Sequence, residues 1–104
     1  MAGHYACLWE FEVRPERLLE FEQHYGRDGA WARLFRQSND YIETLLLKDI
    51  SISGRYITVD RWRSKEAYLA FRSKFATQYN QLDNTFEQLT FRETPFGEYS
   101  GQIT

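Results

Sequence analysis

Apolar residues alternate with polar ones along Tyr5–Val13. Tyr5, Cys7, Trp9, Phe11 and Val13 fall on one side, and Ala6, Leu8, Glu10 and Glu12 on the other. That period of two predicts a strand. Pro15 suits the first turn of a helix, where its missing N–H costs nothing. Leu18, Phe21 and Tyr25 then recur at helical spacing, and Gly26 is placed to end the helix. Asp28 is positioned to cap a short second helix carrying Trp31, Leu34 and Phe35 on one face. Ser38-Asn39-Asp40 reads as a turn. Tyr41–Lys48 reads as a strand with apolar residues on both sides, Ile42 and Leu46 on one, Tyr41, Leu45 and Leu47 on the other. A sheet with one wet face would not need this, so the strand is expected to be covered twice, by helices and by a second sheet. In so short a chain the second cover most simply comes from a partner subunit.

The loop Asp49–Gly54 leads to a third strand, Tyr56–Trp62. Ser64 follows as a helix cap with Glu66 in the first turn. Tyr68, Phe71 and Phe75 form one stripe. Tyr79, Leu82, Phe86 and Leu89 continue it at spacings of four and three, which predicts a second helical stretch with a kink near Phe75. Thr90–Tyr99 reads as a last strand, with Pro95 at an edge or bulge. The tail Ser100–Thr104 is polar. The order strand, helices, strand, strand, helices, strand is the split βαβ pattern of an α+β, ferredoxin-like domain spanning residues 1–104: a four-stranded antiparallel sheet with helices on one face. The bare face is expected to pair with that of a second copy, giving a homodimer.

Composition sharpens this picture. The chain holds 8 Phe, 7 Tyr and 3 Trp, 17% of its residues, more than one small core requires. The surplus is expected in a pocket, an interface, or both. With 13 basic and 15 acidic residues interspersed and a net charge of −2, there is no basic stripe for nucleic acid. No apolar run approaches a membrane span, and the N-terminal residues lack the pattern of a secretory signal. The single cysteine, Cys7, forms no intrachain disulfide and suits a reducing, cytoplasmic setting. Cys7 with His4 and His24 does not make a zinc site.

Three blocks, YGRDGAWARLF, TLLLKD and RYITVDRWRSKEAYLAF, resemble the antibiotic biosynthesis monooxygenase family of the dimeric α/β-barrel superfamily. The likeness runs from about Tyr5 to Tyr99. It implies a dimeric barrel and oxygenation of a small phenolic or quinone-type aromatic without flavin, metal or nicotinamide, because the substrate anion itself reduces dioxygen. The glycines of this chain build no phosphate-binding loop, which fits. Haem-degrading relatives pair a tryptophan at the strand end with an asparagine on the first strand and a helical histidine. Trp62 matches the first, but Leu8, Trp9 and Glu10 occupy the second neighbourhood and Tyr79 the third, which argues against haem degradation. A tyrosinate can nonetheless bind ferric haem.

Candidate site residues follow. Trp62, Tyr56 and Phe71 are expected as pocket walls, with packing as the alternative. Trp31 is a lid or a substrate contact. Trp9 and Tyr41 face the pocket or, more simply, the dimer interface. Asp60 shares a strand face with Tyr56, Thr58 and Trp62. A buried carboxylate there would titrate high and act as a base, unless Arg72 pairs with it. His24 is a second candidate base or a solvated surface residue. Tyr79 and Arg72 are candidate oxyanion donors. The competing reading is a non-catalytic dimer that binds a small aromatic or serves as a scaffold.

Overall fold

The computed structural model describes residues 4–101. Strand β1 (His4–Val13) is central. It pairs antiparallel with β3 (Arg55–Trp62) on one side and β4 (Thr90–Gly101) on the other, and β2 (Tyr41–Lys48) flanks β3, so the order is β2-β3-β1-β4. Helices α1 (Leu18–Tyr25), α2 (Ala30–Phe35), α3 (Lys65–Lys74) and α4 (Ala76–Phe86) cover one face. This is the expected ferredoxin-like arrangement. Among the described residues no helix is long and apolar enough to cross a membrane.

Local chemistry accounts for most element ends. Pro15 opens a 3₁₀ turn that runs into α1. Ser64 accepts a hydrogen bond from the Ala67 N–H at 3.1 Å, the expected cap of α3. The kink falls at Phe75, between α3 and α4. Gly54 has φ +85° and lies so close to Val13 that a Cβ would stand 3.0 Å from its carbonyl oxygen; its own carbonyl accepts from the Val13 N–H at 2.8 Å.

Four local expectations are corrected. Asp28 does not cap α2; Gly29 does, in a turn so tight that a Cβ would meet the His24 carbonyl at 2.4 Å, and Asp28 instead accepts from Arg36. β1 begins one residue before the expected Tyr5, at His4, which pairs with Gly101. Ser100 and Gly101 extend β4, while the remainder of the expected tail, residues 102–104, lies outside the described residues. A bulge between Tyr41 and Glu43 shifts the register of β2 against β3. It turns Tyr41 to the helix side, where its ring lies 5.3 Å from that of Trp62. Pro95 also sits at an irregularity, where β4 skips a residue opposite Leu8 and Trp9.

The core lies between sheet and helices and is largely aromatic. Phe21 is fully buried, stacked on Tyr25 at 4.2 Å and against Tyr56 at 4.9 Å. Across the opposite face, Leu8, Val59 and Leu45 lie in one cross-strand row and Ile57 and Leu47 in the next. Leu47 is 51% and Phe96 49% exposed. Ion pairs Arg61–Glu43, Arg55–Glu10 and Arg92–Glu12 flank this apolar band.

Candidate functional site

The sheet's covered face and the helices enclose a cavity of about 220 Å³. Its floor comes from Trp9 and Phe11 on β1, Thr44 on β2, Thr58 and Asp60 on β3, and Glu93 on β4. Tyr25, at the end of α1, closes one side. Each of the other three helices contributes residues four apart, hence on one face: Trp31 and Phe35, Tyr68 and Arg72, Tyr79 and Asp83. The volume falls below the roughly 300–1,000 Å³ of pockets for drug-sized ligands and suits a one- or two-ring aromatic.

Asp60 is the polar centre of the floor. The Thr44 hydroxyl donates to its Oδ1 at 2.7 Å, and Thr44 Oγ1 lies 2.7 Å from the Tyr41 hydroxyl, which therefore donates to Thr44. Burial pushes the Asp60 carboxyl up to about 6, against the opposing pull of the Thr44 hydrogen bond. Arg72 does not pair with it. The guanidinium instead donates from Nη1 to the Tyr68 hydroxyl at 2.8 Å and lies over the Tyr79 ring, 3.8 Å from its centroid. A structural Asp–Arg pair is thus replaced by a carboxylate held by one hydroxyl, facing a cavity that also contains a cation. Burial raises the Tyr79 and Tyr68 hydroxyls, so both are neutral donors at ordinary pH. The same effect opposes a tyrosinate ligand to haem at Tyr79. Asp83 and Glu93 stand at the mouth, exposed on one side; the surrounding protein, and then the Asp83 charge, raise the Glu93 carboxyl.

Of the residues singled out from sequence, Asp60, Tyr79, Arg72 and Trp31 meet in this pocket. Trp62, Tyr56 and Phe71 do not line it. Trp62 is 0% exposed, ringed by Phe35, Tyr41, Tyr68 and Phe71 at 5.1–5.4 Å between centroids. It supports the wall from behind rather than forming it. Tyr56 donates to Glu22 beneath the core, and Phe71 stacks on Phe75. His24 stacks on Phe86 at 4.3 Å, outside the pocket. Trp9 faces the pocket, not the open sheet face. Sequence reasoning missed Thr44, Tyr25, Asp83 and Glu93, and likewise Phe11, Phe35, Thr58 and Tyr68, as lining residues. Thr44, polar amid Ile42, Leu45, Leu46 and Leu47, was the visible signal for the first.

The arrangement defines a class: an α+β ferredoxin-like domain with an aromatic pocket between sheet and helices and a carboxylate on the pocket floor. No model of a known protein family matches the chain, and no curated protein matches it in sequence. Solved structures do share its fold. A Bordetella bronchiseptica protein named provisionally as an antibiotic biosynthesis monooxygenase superposes with a TM-score of 0.72 at 20% identity, covering 98% of each chain. SnoaB, a cofactor-independent oxygenase from Streptomyces nogalater, superposes with a TM-score of 0.71 at 13% identity, over 99% of this chain and 97% of its own. A Nitrosomonas europaea protein with the same provisional name as the first gives 0.69 at 10% identity, over 95% of this chain and 99% of its own. At these identities the likeness establishes the fold.

Proposed function

We propose that the protein is a cofactor-independent monooxygenase for a small phenolic or quinol-type aromatic, acting as a cytoplasmic homodimer joined through its open sheet faces. The observation that carries this reading is Asp60: a carboxylate on the floor of an aromatic pocket, with no cation paired to it among the described residues and Arg72 in the same cavity. A free carboxylate near 4 is a poor base for a phenol near 10. Raising it to about 6 removes about 3 kcal/mol of that gap. Arg72 and the Tyr68 and Tyr79 hydroxyls stabilise the resulting anion.

In the reaction proposed, Asp60 accepts the substrate proton. The delocalised anion reduces dioxygen, a C–O bond forms, and protonation by Asp60 gives a hydroperoxide. Loss of water breaks the O–O bond and leaves a new carbonyl. One oxygen atom stays in the product, the other leaves as water, and the four electrons come from the substrate carbon. Thr44 and Tyr41 hold Asp60 in place throughout. The fold shared with SnoaB, a cofactor-independent oxygenase, supports the general kind of reaction. The apolar band of Leu8, Leu45, Leu47, Ile57 and Val59 supports the dimer, since it would otherwise leave the sheet half wet.

The test is turnover of a naphthohydroquinone by chelator-treated protein under isotopically heavy dioxygen. One heavy atom in the product, at a rate above the buffer reaction, is the expected result. Saturable binding without incorporation would favour the non-catalytic binding dimer instead.

A further inference from the structure

Charge is divided unevenly along the cavity, and the proposed reaction uses only one end of it. Asp60 and Arg72 define that end, with Arg72 held by Tyr68 and Tyr79. At the other end Asp83 on α4 and Glu93 on β4 line the mouth. Among the described residues neither takes part in an ion pair. Cations adjoining β4 are engaged elsewhere: Arg92 pairs with Glu12 on the open sheet face, and Arg14 lies over the Phe91 ring, 4.5 Å from its centroid. Burial, and then the Asp83 charge, raises the Glu93 carboxyl, so two like charges share the mouth uncompensated. Register separates the two ends. Asp60 stands opposite Cys7 and Glu93 opposite Phe11, four residues apart along the sheet and two strands apart across it, about 16 Å between Cα atoms. Thr58, opposite Trp9, lies on the floor between these rows and is 4% exposed. Its hydroxyl makes no hydrogen bond among the described residues, and it is not one of the wholly enclosed unpaired groups, which are on Tyr25, Trp31 and Trp62. The floor between the two charged ends therefore also offers a polar group without a partner.

Two uncompensated carboxylates on a cavity wall favour a cationic ligand group. Among the described residues no three side chains form a metal-binding group, so an organic cation fits better than a metal ion. We propose that the pocket selects a phenol carrying a protonated amine on a short arm, with the phenol at Asp60 and Arg72 and the ammonium between Asp83 and Glu93. The ammonium relieves the repulsion between the two carboxylates and donates hydrogen bonds to them. Arg72 repels the same group from the inner end, so charge decides which end of the ligand enters first. The gap between Asp60 and Glu93, shortened by both side chains, matches one ring with an arm of two or three atoms. An aromatic acid of the same shape meets two negative charges at the mouth and is rejected. Asp83 and Glu93 thereby set specificity and orientation and take no part in the proton transfer. The inference rests on the proposed placement of a phenol at Asp60, but not on its oxygen chemistry.

Calorimetric titration with three para-substituted phenols of similar shape tests it: tyramine, propylphenol and hydroxyphenylpropionate. The wild-type protein is expected to bind tyramine about tenfold more tightly than propylphenol, as one charge-assisted hydrogen bond provides, and the acid most weakly. The double variant Asp83→Asn, Glu93→Gln is expected to bring tyramine down to the affinity of propylphenol and to leave propylphenol unchanged, which shows that the pocket is still folded. A second reading needs no variant: added salt should shrink the preference of the wild-type protein for tyramine without weakening propylphenol. No binding of tyramine, equal affinity for tyramine and propylphenol, or a preference that survives in the double variant or in high salt, would overturn the inference. A preference for tyramine in a protein that consumes no oxygen with a naphthohydroquinone would remove the oxygenase reading and leave this one standing. Turnover of that quinol by a protein indifferent to the ammonium would remove this inference alone.

Discussion

Replacing Asp60 by asparagine separates what the carboxylate does for stability from what it does for chemistry. In the folded chain burial pushes this carboxyl from an ordinary 3.8 to about 6. A raised folded-state value means the native protein holds its proton more tightly than the unfolded chain does. Between about pH 4 and 6 the native state binds the extra proton, so stability falls as pH rises through that window and then levels off. A rise from 3.8 to about 6 corresponds to roughly 3 kcal/mol, and partial hydration through the pocket reduces it towards about 1–2 kcal/mol. An asparagine side chain at this position keeps an oxygen that accepts from Thr44 and carries no charge, so Asp60→Asn loses this dependence. Urea unfolding of both proteins at one fixed concentration, at pH 4, 6 and 8, reads the difference. The variant is expected to match wild type near pH 4 and exceed it by about 1–2 kcal/mol at pH 8. A pH-independent difference, or a variant less stable at pH 8, would refute the claim that Asp60 is a desolvated, unpaired carboxylate.

Thr44→Val removes the hydrogen bond that favours ionised Asp60, so the acidic limb of the pH–rate profile should move to higher pH than in wild type. Phe21→Ala empties the centre of the Phe11–Tyr25–Tyr56 cluster and should cost about 3–5 kcal/mol in denaturant unfolding, a large share of a typical 5–15 kcal/mol. Val59→Lys places a charge in the middle row of the open sheet face, and light scattering should then show monomers where wild type shows dimers.

Strand and helix order is legible because each segment keeps a clean period, two in β1 and β3, three and four in α3 and α4. Ser64 and Pro15 mark helix starts by mechanisms that act within one turn. Period-two counting puts Tyr41 on the wrong face because it assumes an unbroken ladder, and the bulge before Glu43 shifts that ladder by one residue. Gly29 displaces Asp28 as a cap because the close approach to His24 is a tertiary constraint. Asp60 is recognisable as an ionisable residue sharing a strand face with Tyr56, Thr58 and Trp62. That it lacks an arginine partner is not, since the reach of Arg72 depends on where Tyr68 and Tyr79 lie. Trp62 illustrates the same limit: its place at a strand end is visible in the sequence, but the rings of Phe35 and Tyr68 that screen it from the cavity come from other elements.

The most direct test of the central claim is oxygen uptake with a naphthohydroquinone across pH 5–8, comparing chelator-treated wild-type protein with Asp60→Asn. Uptake that rises with pH through about 6 and is lost in the variant is the predicted result. Equal uptake by both proteins, or none by wild type above the buffer rate, would contradict Asp60 as the base of a cofactor-independent oxygenase.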